Sequence, residues 1–273
     1  MSDNNLFKKK FKLLRKRAFH RAKIGLNYWL NRQVKKPVFI IASRRTGTNF
    51  LIDLLNSVPG VSFVPEILHS EMAYGIRRSF ISKKTVLRHI LHSIHACRDT
   101  ICGTKFIFVQ LEAHRITLEN LNHLFPEAKF IILYRRSFFD QFVSLKIAEL
   151  TDVWQTYGVF EPPRSFCIDP NELKSHYLKI KFFYEGIFKR SWLESRSIVL
   201  TYEDLYGDPQ EIFNRMIFPF LKLPVSEVSW KIRKQNLRQA QEIVENFEDL
   251  KPLAEEMKQK YSFSRDELQE QLI

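Results

Sequence analysis

The chain has little cysteine and no long apolar run. Cys97, Cys102 and Cys167 are the only cysteines in 273 residues. An odd, unpatterned set neither frames a disulfide scaffold nor spells a zinc site; it reads as reduced thiols in a cytosolic protein. No stretch of 18 apolar residues occurs, so no transmembrane helix is expected. The basic N-terminus has no compact apolar core of the kind a secretory signal needs. Internal repeats and low-complexity tracts are also missing. Acidic residues are scarce where basic ones crowd: residues 1–36 hold 12 Lys/Arg against one Asp, out of a formal net charge of +13. The remaining residues, with 31 basic and 29 acidic side chains, are close to neutral. The basicity therefore belongs to an arm, residues 1–36, and argues against a nucleic-acid-binding body.

What is present is a globular composition, 45% hydrophobic with 24 Phe. A chain of this length can bury roughly three quarters of its unfolded surface. One large α/β domain, residues 37–273, is expected to follow the arm. Within the arm, cations alternate irregularly with Phe7, Phe11, Leu14, Phe19, Leu26, Trp29 and Leu30. Two readings stand: a basic amphipathic helix on an anionic membrane surface at the cytoplasmic face, or a solvated helix that packs a few aromatics on the domain.

The most informative stretch is Pro37 to Asn56. Val38–Ala42 is a short apolar run that predicts a buried strand, and Phe50, Leu51, Leu54 and Leu55 recur at helical spacing. Between them lies Ser43-Arg44-Arg45-Thr46-Gly47-Thr48-Asn49, small, polar and cationic. A strand–turn–helix with such a turn collects anions, because unpaired N–H groups and the positive end of the helix dipole meet there. Gly47 lets an anion approach the backbone. Arg45 supplies a fixed charge, and Thr46, Thr48 and Asn49 supply donors. The loop is not a Walker A motif: the cation precedes the glycine, no Lys-Ser/Thr pair follows it, and no Mg²⁺ ligand arrangement is offered.

Two later segments repeat or extend this logic. Ala128–Tyr134 predicts a core strand that discharges into Arg135-Arg136-Ser137, with Ser144 eight residues beyond Arg136 on the next helix. The arginine gives bidentate phosphate recognition and the serine a hydroxyl, although both arginines could simply pair with acids. Ser197–Leu200 predicts a further strand ending in Thr201-Tyr202-Glu203-Asp204-Leu205, with Asp208-Pro209 opening a helix. Glu66 lies just past a short second strand, Val61–Val64, where open α/β sheets place ligands, or else where a loop carries a solvated charge. Lys105 stands in the apolar strand Ile101–Val109, which demands a strand end or an ion partner. His89, His92 and His95 recur on a basic helical stretch, 70–98, but no acid or thiol completes a metal set. A single helix is expected over 111–124. The stripe Leu173, Tyr177, Ile180, Tyr184, Ile187 predicts a core-facing helix. A helix over 225–247 carries Lys231, Arg233 and Lys234, and a charged helix follows Leu250. Residues 154–170, rich in proline and aromatics, read as a lid or acceptor wall.

Taken together, these segments resemble the PAPS-dependent sulfotransferase superfamily, over most of residues 37–247. Arg45-Thr46-Gly47-Thr48 is similar to its 5′-phosphosulfate loop, Arg136 to Ser144 to its 3′-phosphate motif, and Tyr202-Glu203-Asp204-Leu205 with Asp208-Pro209 to its "YEDL…DP" segment. The Arg135-Arg136 pair, Gly103-Thr104-Lys105 and Arg233-Lys234-Gln235-Asn236 look most like the bacterial-type carbohydrate sulfotransferases, which act on trehalose, lipopolysaccharide or nodulation-factor sugars. The resemblance implies a three-layer, P-loop-like α/β fold with a central, mainly parallel sheet. It also implies PAPS as donor, no metal, a carbohydrate or glycolipid acceptor and a catalytic Glu, which falls on Glu66. Arg44, Arg45, Thr46, Gly47, Thr48, Asn49, Arg136, Ser144, Tyr202 and Arg233 would hold the donor, and Arg45 would also neutralise the leaving phosphate. Departures are Arg45 where many members have Lys, Asn49 where many have Thr, and no counterpart of the histidine base of cytosolic members. The competing readings are a P-loop small-molecule phosphotransferase and an inactive membrane-attached binding module.

Overall fold

The computed structural model describes residues 35–64, 66–69, 76, 82–155, 160, 165–233 and 238–260. Nearly all of the basic arm, parts of the 70–98 stretch and of the 154–170 wall, Lys234-Gln235-Asn236 and the end of the C-terminal helix lie outside the described residues.

In chain order the elements are β1 (Lys36–Ala42), α1 (Thr48–Ser57), β2 (Val61–Val64), α2 (Lys83–His95), β3 (Ile101–Ile107), α3 (Phe108–His114), α4 (Leu118–Leu124), β4 (Lys129–Tyr134), α5 (Phe138–Thr151), α6 (Pro170–Phe188), α7 (Ser191–Glu194), β5 (Ser197–Thr201), α8 (Tyr202–Gly207), α9 (Pro209–Ile212), α10 (Phe218–Leu221) and α11 (Phe247–Lys260). A π-helical turn, Phe213–Ile217, joins α9 to α10. The strands form one five-stranded parallel sheet, ordered β2-β3-β1-β4-β5 and flanked by helices. Among the described residues no helix is long and apolar enough to cross a membrane.

The chain divides into two compact units. One holds residues up to Ala42 with Leu55–Ile131, the other Ser43–Leu54 with the residues from Ile132. In the first unit, β1 and β3 pair in parallel with Val38 opposite Gly103 and Ile40 opposite Lys105, and β2 pairs with the other edge of β3. These strands are near-continuous apolar runs because parallel strands are covered on both faces. Phe39 centres the packing, with the rings of Phe106, Phe125 and Phe130 edge-on at 5.3, 5.4 and 5.8 Å. Gly103 has a steric reason: a Cβ there would collide with the Val38 carbonyl oxygen and the Phe63 ring.

In the second unit, α6 buries the expected stripe of Leu173, Tyr177, Ile180, Tyr184 and Ile187. It starts cleanly because Asp169 caps it and Pro170 occupies its first turn.

Three expected elements differ. The 111–124 helix is two helices, because Arg115 adopts φ 55° and ends α3, after which Thr117 and Asn120 form a capping box that starts α4. The strand expected to reach Val109 ends at Ile107, where α3 begins at once. Residues 222–232 are not helical. Their backbone is held instead by side chains of other elements: Val228 N–H donates to Gln210, and Lys231 and Ile232 N–H both donate to Asp53. Tertiary partners here override helical periodicity.

Candidate functional site

The donor-loop residues fall in the second unit. Ser43–Gly47 forms the turn ahead of α1, with Leu51 N–H donating to the Gly47 carbonyl as the helix begins. A lattice of buried polar groups fixes this turn from below. Gln141 of α5, fully buried, donates to the Ser43 hydroxyl at 2.7 Å and the Arg44 carbonyl at 2.5 Å. The Tyr184 hydroxyl accepts from Ser43 N–H at 2.9 Å and donates to the Leu133 carbonyl at 2.8 Å. Burial raises the Tyr184 phenol well above its ordinary value, so it stays a neutral donor. The Thr46 hydroxyl is buried and donates to the Ser43 carbonyl. It is thereby a strut of the turn. Gly47 has φ +82°, and a Cβ would lie 2.5 Å from the ring of Tyr202. The glycine is required twice, by conformation and by that ring.

Above this base sit the cations. Arg45, at φ +62°, donates from Nε to the Ser144 hydroxyl at 3.0 Å and from Nη1 to the Trp154 carbonyl at 2.5 Å. Burial, and then the nearby Arg135 guanidinium, lower Arg45 to about 10, partly offset by Tyr202. Arg44 lies over the Trp154 ring at 5.7 Å, and the Asn49 amide donates to Gln155 at 2.8 Å. Two residues of the turn and one of the first turn of α1 therefore touch the 154–155 segment. Arg135 stacks 4.7 Å over Tyr202, whose ring also stacks on Tyr206.

The second cationic turn is tied to the segment after β5. Glu203 accepts the backbone N–H groups of Arg136 and Ser137 at 3.0 and 3.1 Å. Arg136 forms a two-pronged contact with Asp204 at 2.8 and 3.1 Å. The structure thus brings Ser144 to Arg45, and Arg136 to Asp204. Thr48 is buried at the start of α1. Arg233 is exposed at the end of the segment that Asp53 anchors.

The first unit holds Glu66. Lys105, 3% exposed inside β3, reaches one carboxylate oxygen of Glu66 at 2.8 Å, and the Gln110 amide donates to the other oxygen. Lys105 thus has the ion partner its burial requires. Burial raises the Glu66 carboxyl, but the charge and hydrogen bond of Lys105, the Gln110 amide and His69 outweigh it and hold the group below the ordinary carboxylate value. Glu66 is ionised at neutral pH and weakly basic while Lys105 stays in place. The histidines of α2 have other tasks: His89 contacts the Ile67 carbonyl, and His95 packs beside the Phe125 ring.

Sequence reasoning missed Gln141 and Gln110, and placed Trp154 in a lid or acceptor wall without its contacts to Arg44 and Arg45. Gln141 interrupts the buried face of α5, which has no meaning until its neighbours are known, and nothing in sequence spacing links Gln110 to Glu66.

No known protein-family model matches the sequence, and no curated protein matches it. Solved structures do. A sulfotransferase from Alicyclobacillus acidocaldarius is 15% identical with a TM-score of 0.52, covering 82% of this chain and 93% of its own. Sulfotransferase STF1 from Mycobacterium tuberculosis H37Rv is 13% identical with a TM-score of 0.47, covering 95% of this chain and 83% of its own. Mouse sulfotransferase SULT7A1, solved with PAP, is 12% identical with a TM-score of 0.42, covering 75% of this chain and 64% of its own. The first of these likenesses shows that the chain has the fold of a sulfotransferase.

Proposed function

We propose that this protein is a PAPS-dependent sulfotransferase acting on a hydroxyl of a carbohydrate or glycolipid, with Glu66 as general base. The observation that carries the reading is the joining of two cationic turns, each opening a helix, in one compact unit, with Arg45 of the first bonded to Ser144 beyond the second. Burial, and then the nearby charge of Arg135, lower the proton affinity of Arg45. Arg135 already has the carboxylates of Glu203 and Asp140 at 3.8 and 4.0 Å, and a phosphosulfate would add negative charge on the Arg45 side of this cluster.

In this reading the turn N–H groups at α1, with Arg44 and Arg45, bind the 5′-phosphosulfate, and Arg136 and Ser144 bind the 3′-phosphate. The acceptor oxygen attacks sulfur in line, the bond from sulfur to the bridging phosphate oxygen breaks, and PAP leaves. The acceptor proton goes to Glu66. As in phosphoryl transfer, the protein contributes positioning and charge stabilisation. Arg45 and the turn amides neutralise charge developing on the departing phosphate.

Thermal shift with PAP, ADP and ATP, each with and without Mg²⁺, tests the donor. Stabilisation by PAP without metal supports the reading, preference for ATP with Mg²⁺ supports a phosphotransferase, and no response supports a binding module. The base is tested with radiolabelled PAPS and a panel of sugars and glycolipids. Glu66→Gln keeps size but removes basicity, so turnover falls by about 10²–10⁴-fold while PAP affinity is kept. Undiminished turnover in Glu66→Gln would remove Glu66 from the mechanism.

A further inference from the structure

We propose that His89 and His114 are positioning residues that hold the turn carrying Glu66. The inference rests on the reading of Glu66 as the base.

Glu66 to His69 is a short turn closed by His69 N–H donating to the Glu66 carbonyl at 3.3 Å. Its two middle side chains, Ile67 and Leu68, are buried in the core. Ile67 and Leu68 are 0% and 1% exposed as whole residues, so their carbonyl groups are buried too and need donors. Two histidines from different helices face them. His89 Nε2 of α2 lies 3.2 Å from the Ile67 carbonyl, and His114 Nε2 of α3 lies 3.0 Å from the Leu68 carbonyl. A carbonyl only accepts, so each ring bonds through an Nε2–H, a state present in both the neutral and the charged ring.

The geometry couples this clamp to the carboxylate. β3 runs into α3 without a loop, since Ile107 ends one and Phe108 begins the other. Lys105, Gln110 and His114 therefore belong to one continuous piece of chain, with Gln110 and His114 four residues apart on the same helical face. That piece grips the turn at three points: Lys105 and Gln110 on the two Glu66 oxygens, and His114 on the Leu68 carbonyl. His89 holds the turn from a second helix. The Gln110 amide donates to Glu66, while its buried carbonyl oxygen has no hydrogen-bond partner among the described residues. Loss of either histidine leaves a buried carbonyl without its donor, and the turn shifts to find another. A shift of even a fraction of an ångström separates one carboxylate oxygen from its donor.

The test reads Glu66 itself in the full chain. Carbon-13 labelling of glutamate carboxyls, with the Glu66 resonance assigned by its loss in Glu66→Gln, gives the titration of that group. His89→Leu and His114→Leu are expected to move the Glu66 titration upward from its lowered position, because the contacts to Lys105 and Gln110 loosen. They are expected to lower sulfuryl transfer from PAPS by about 10–100-fold, the usual cost of a small misplacement of a reacting group. His114→Gln and His89→Gln keep a donor near the Nε2 position and restore both readouts. PAP affinity, measured by calorimetry, serves as the folding control. If His114→Leu does not fold, His89→Leu and the two Gln variants still decide. A folded Leu variant with an unmoved Glu66 titration overturns the clamp. A moved titration together with normal turnover in Glu66→Gln keeps the clamp and defeats the assignment of the base.

Discussion

His176 packs against the rings of Phe138 and Phe142, at centroid distances of 5.8 and 5.2 Å, with its Nε2 buried and without a hydrogen-bond partner among the described residues. Burial, and then the charge of Arg44, lower it from 6.5 to about 4, against a small opposing effect of Glu172. The sign of the linkage follows. Unfolded chain takes up the proton near the ordinary value, folded chain only near 4. Stability is therefore full above the ordinary value and is lost as pH falls toward 4, by up to about 3 kcal/mol. His176→Phe removes that titration and suits the aromatic surroundings. Urea unfolding at pH 7 and pH 4.5 should show the variant gaining on the wild type as pH falls; parallel losses would mean that His176 charges freely in the folded protein. Residues such as His176 and Gln141 were not legible in the sequence. A polar side chain inside an apolar stripe reads as a flaw until its neighbours from another helix are known, whereas Gly47 announced itself because its conformation is local.

At the scale of elements, α8 is tied to the turn after β4, where the proposed function places the 3′-phosphate of the donor. Asp204 holds the guanidinium fork of Arg136 in the two-pronged way a phosphate would, and is itself held by the Thr201 hydroxyl at 2.7 Å. In the proposed reading the carboxylate would compete with a 3′-phosphate for Arg136. The two partners should respond with opposite signs. Arg136→Ala is expected to weaken PAP binding, by roughly 2–5 kcal/mol if the contact is desolvated in the complex. Asp204→Asn is expected to tighten it by about two- to fivefold, since an exposed pair is worth little on its own. Calorimetry with PAP checks both, and a weaker complex in Asp204→Asn would assign Asp204 to donor binding itself. The strands and α6 were legible because burial on two faces writes an uninterrupted apolar run, and burial on one face writes a periodic stripe. The irregular 222–232 segment was not. Its spacing mimics a helix, but its amides are claimed by Asp53 and Gln210, residues distant in sequence. The pairing of Lys105 with Glu66 was likewise hidden until the register of β2 on β3 was known.

At the scale of the whole molecule, charge is the feature that the fold does not explain. The described residues account for neither the 12 basic side chains of residues 1–36 nor their interleaved Phe, Leu and Trp, apart from Lys35 and Lys36. Lys35 is buried and donates to the carbonyls of Cys97 and Asp99 at 2.7 and 3.2 Å, so the boundary between arm and domain is anchored at its last residues. We propose an anionic membrane surface as the partner of the arm's other cations. An anionic membrane surface attracts a basic segment by about 1 kcal/mol for each Lys or Arg near it, and aromatic side chains add to that hold by entering the interface. A glycolipid acceptor would be found at the same surface, so an arm of this kind would raise the local concentration of enzyme where substrate lies. Flotation with vesicles rich in anionic lipid is expected to carry the full-length protein at low salt, to lose it progressively as salt rises, and to leave a chain lacking residues 1–34 in the soluble fraction. Neutral phosphatidylcholine vesicles should carry neither. If both proteins partition alike on anionic vesicles, the arm takes no part in attachment, and its aromatics belong to packing on the domain.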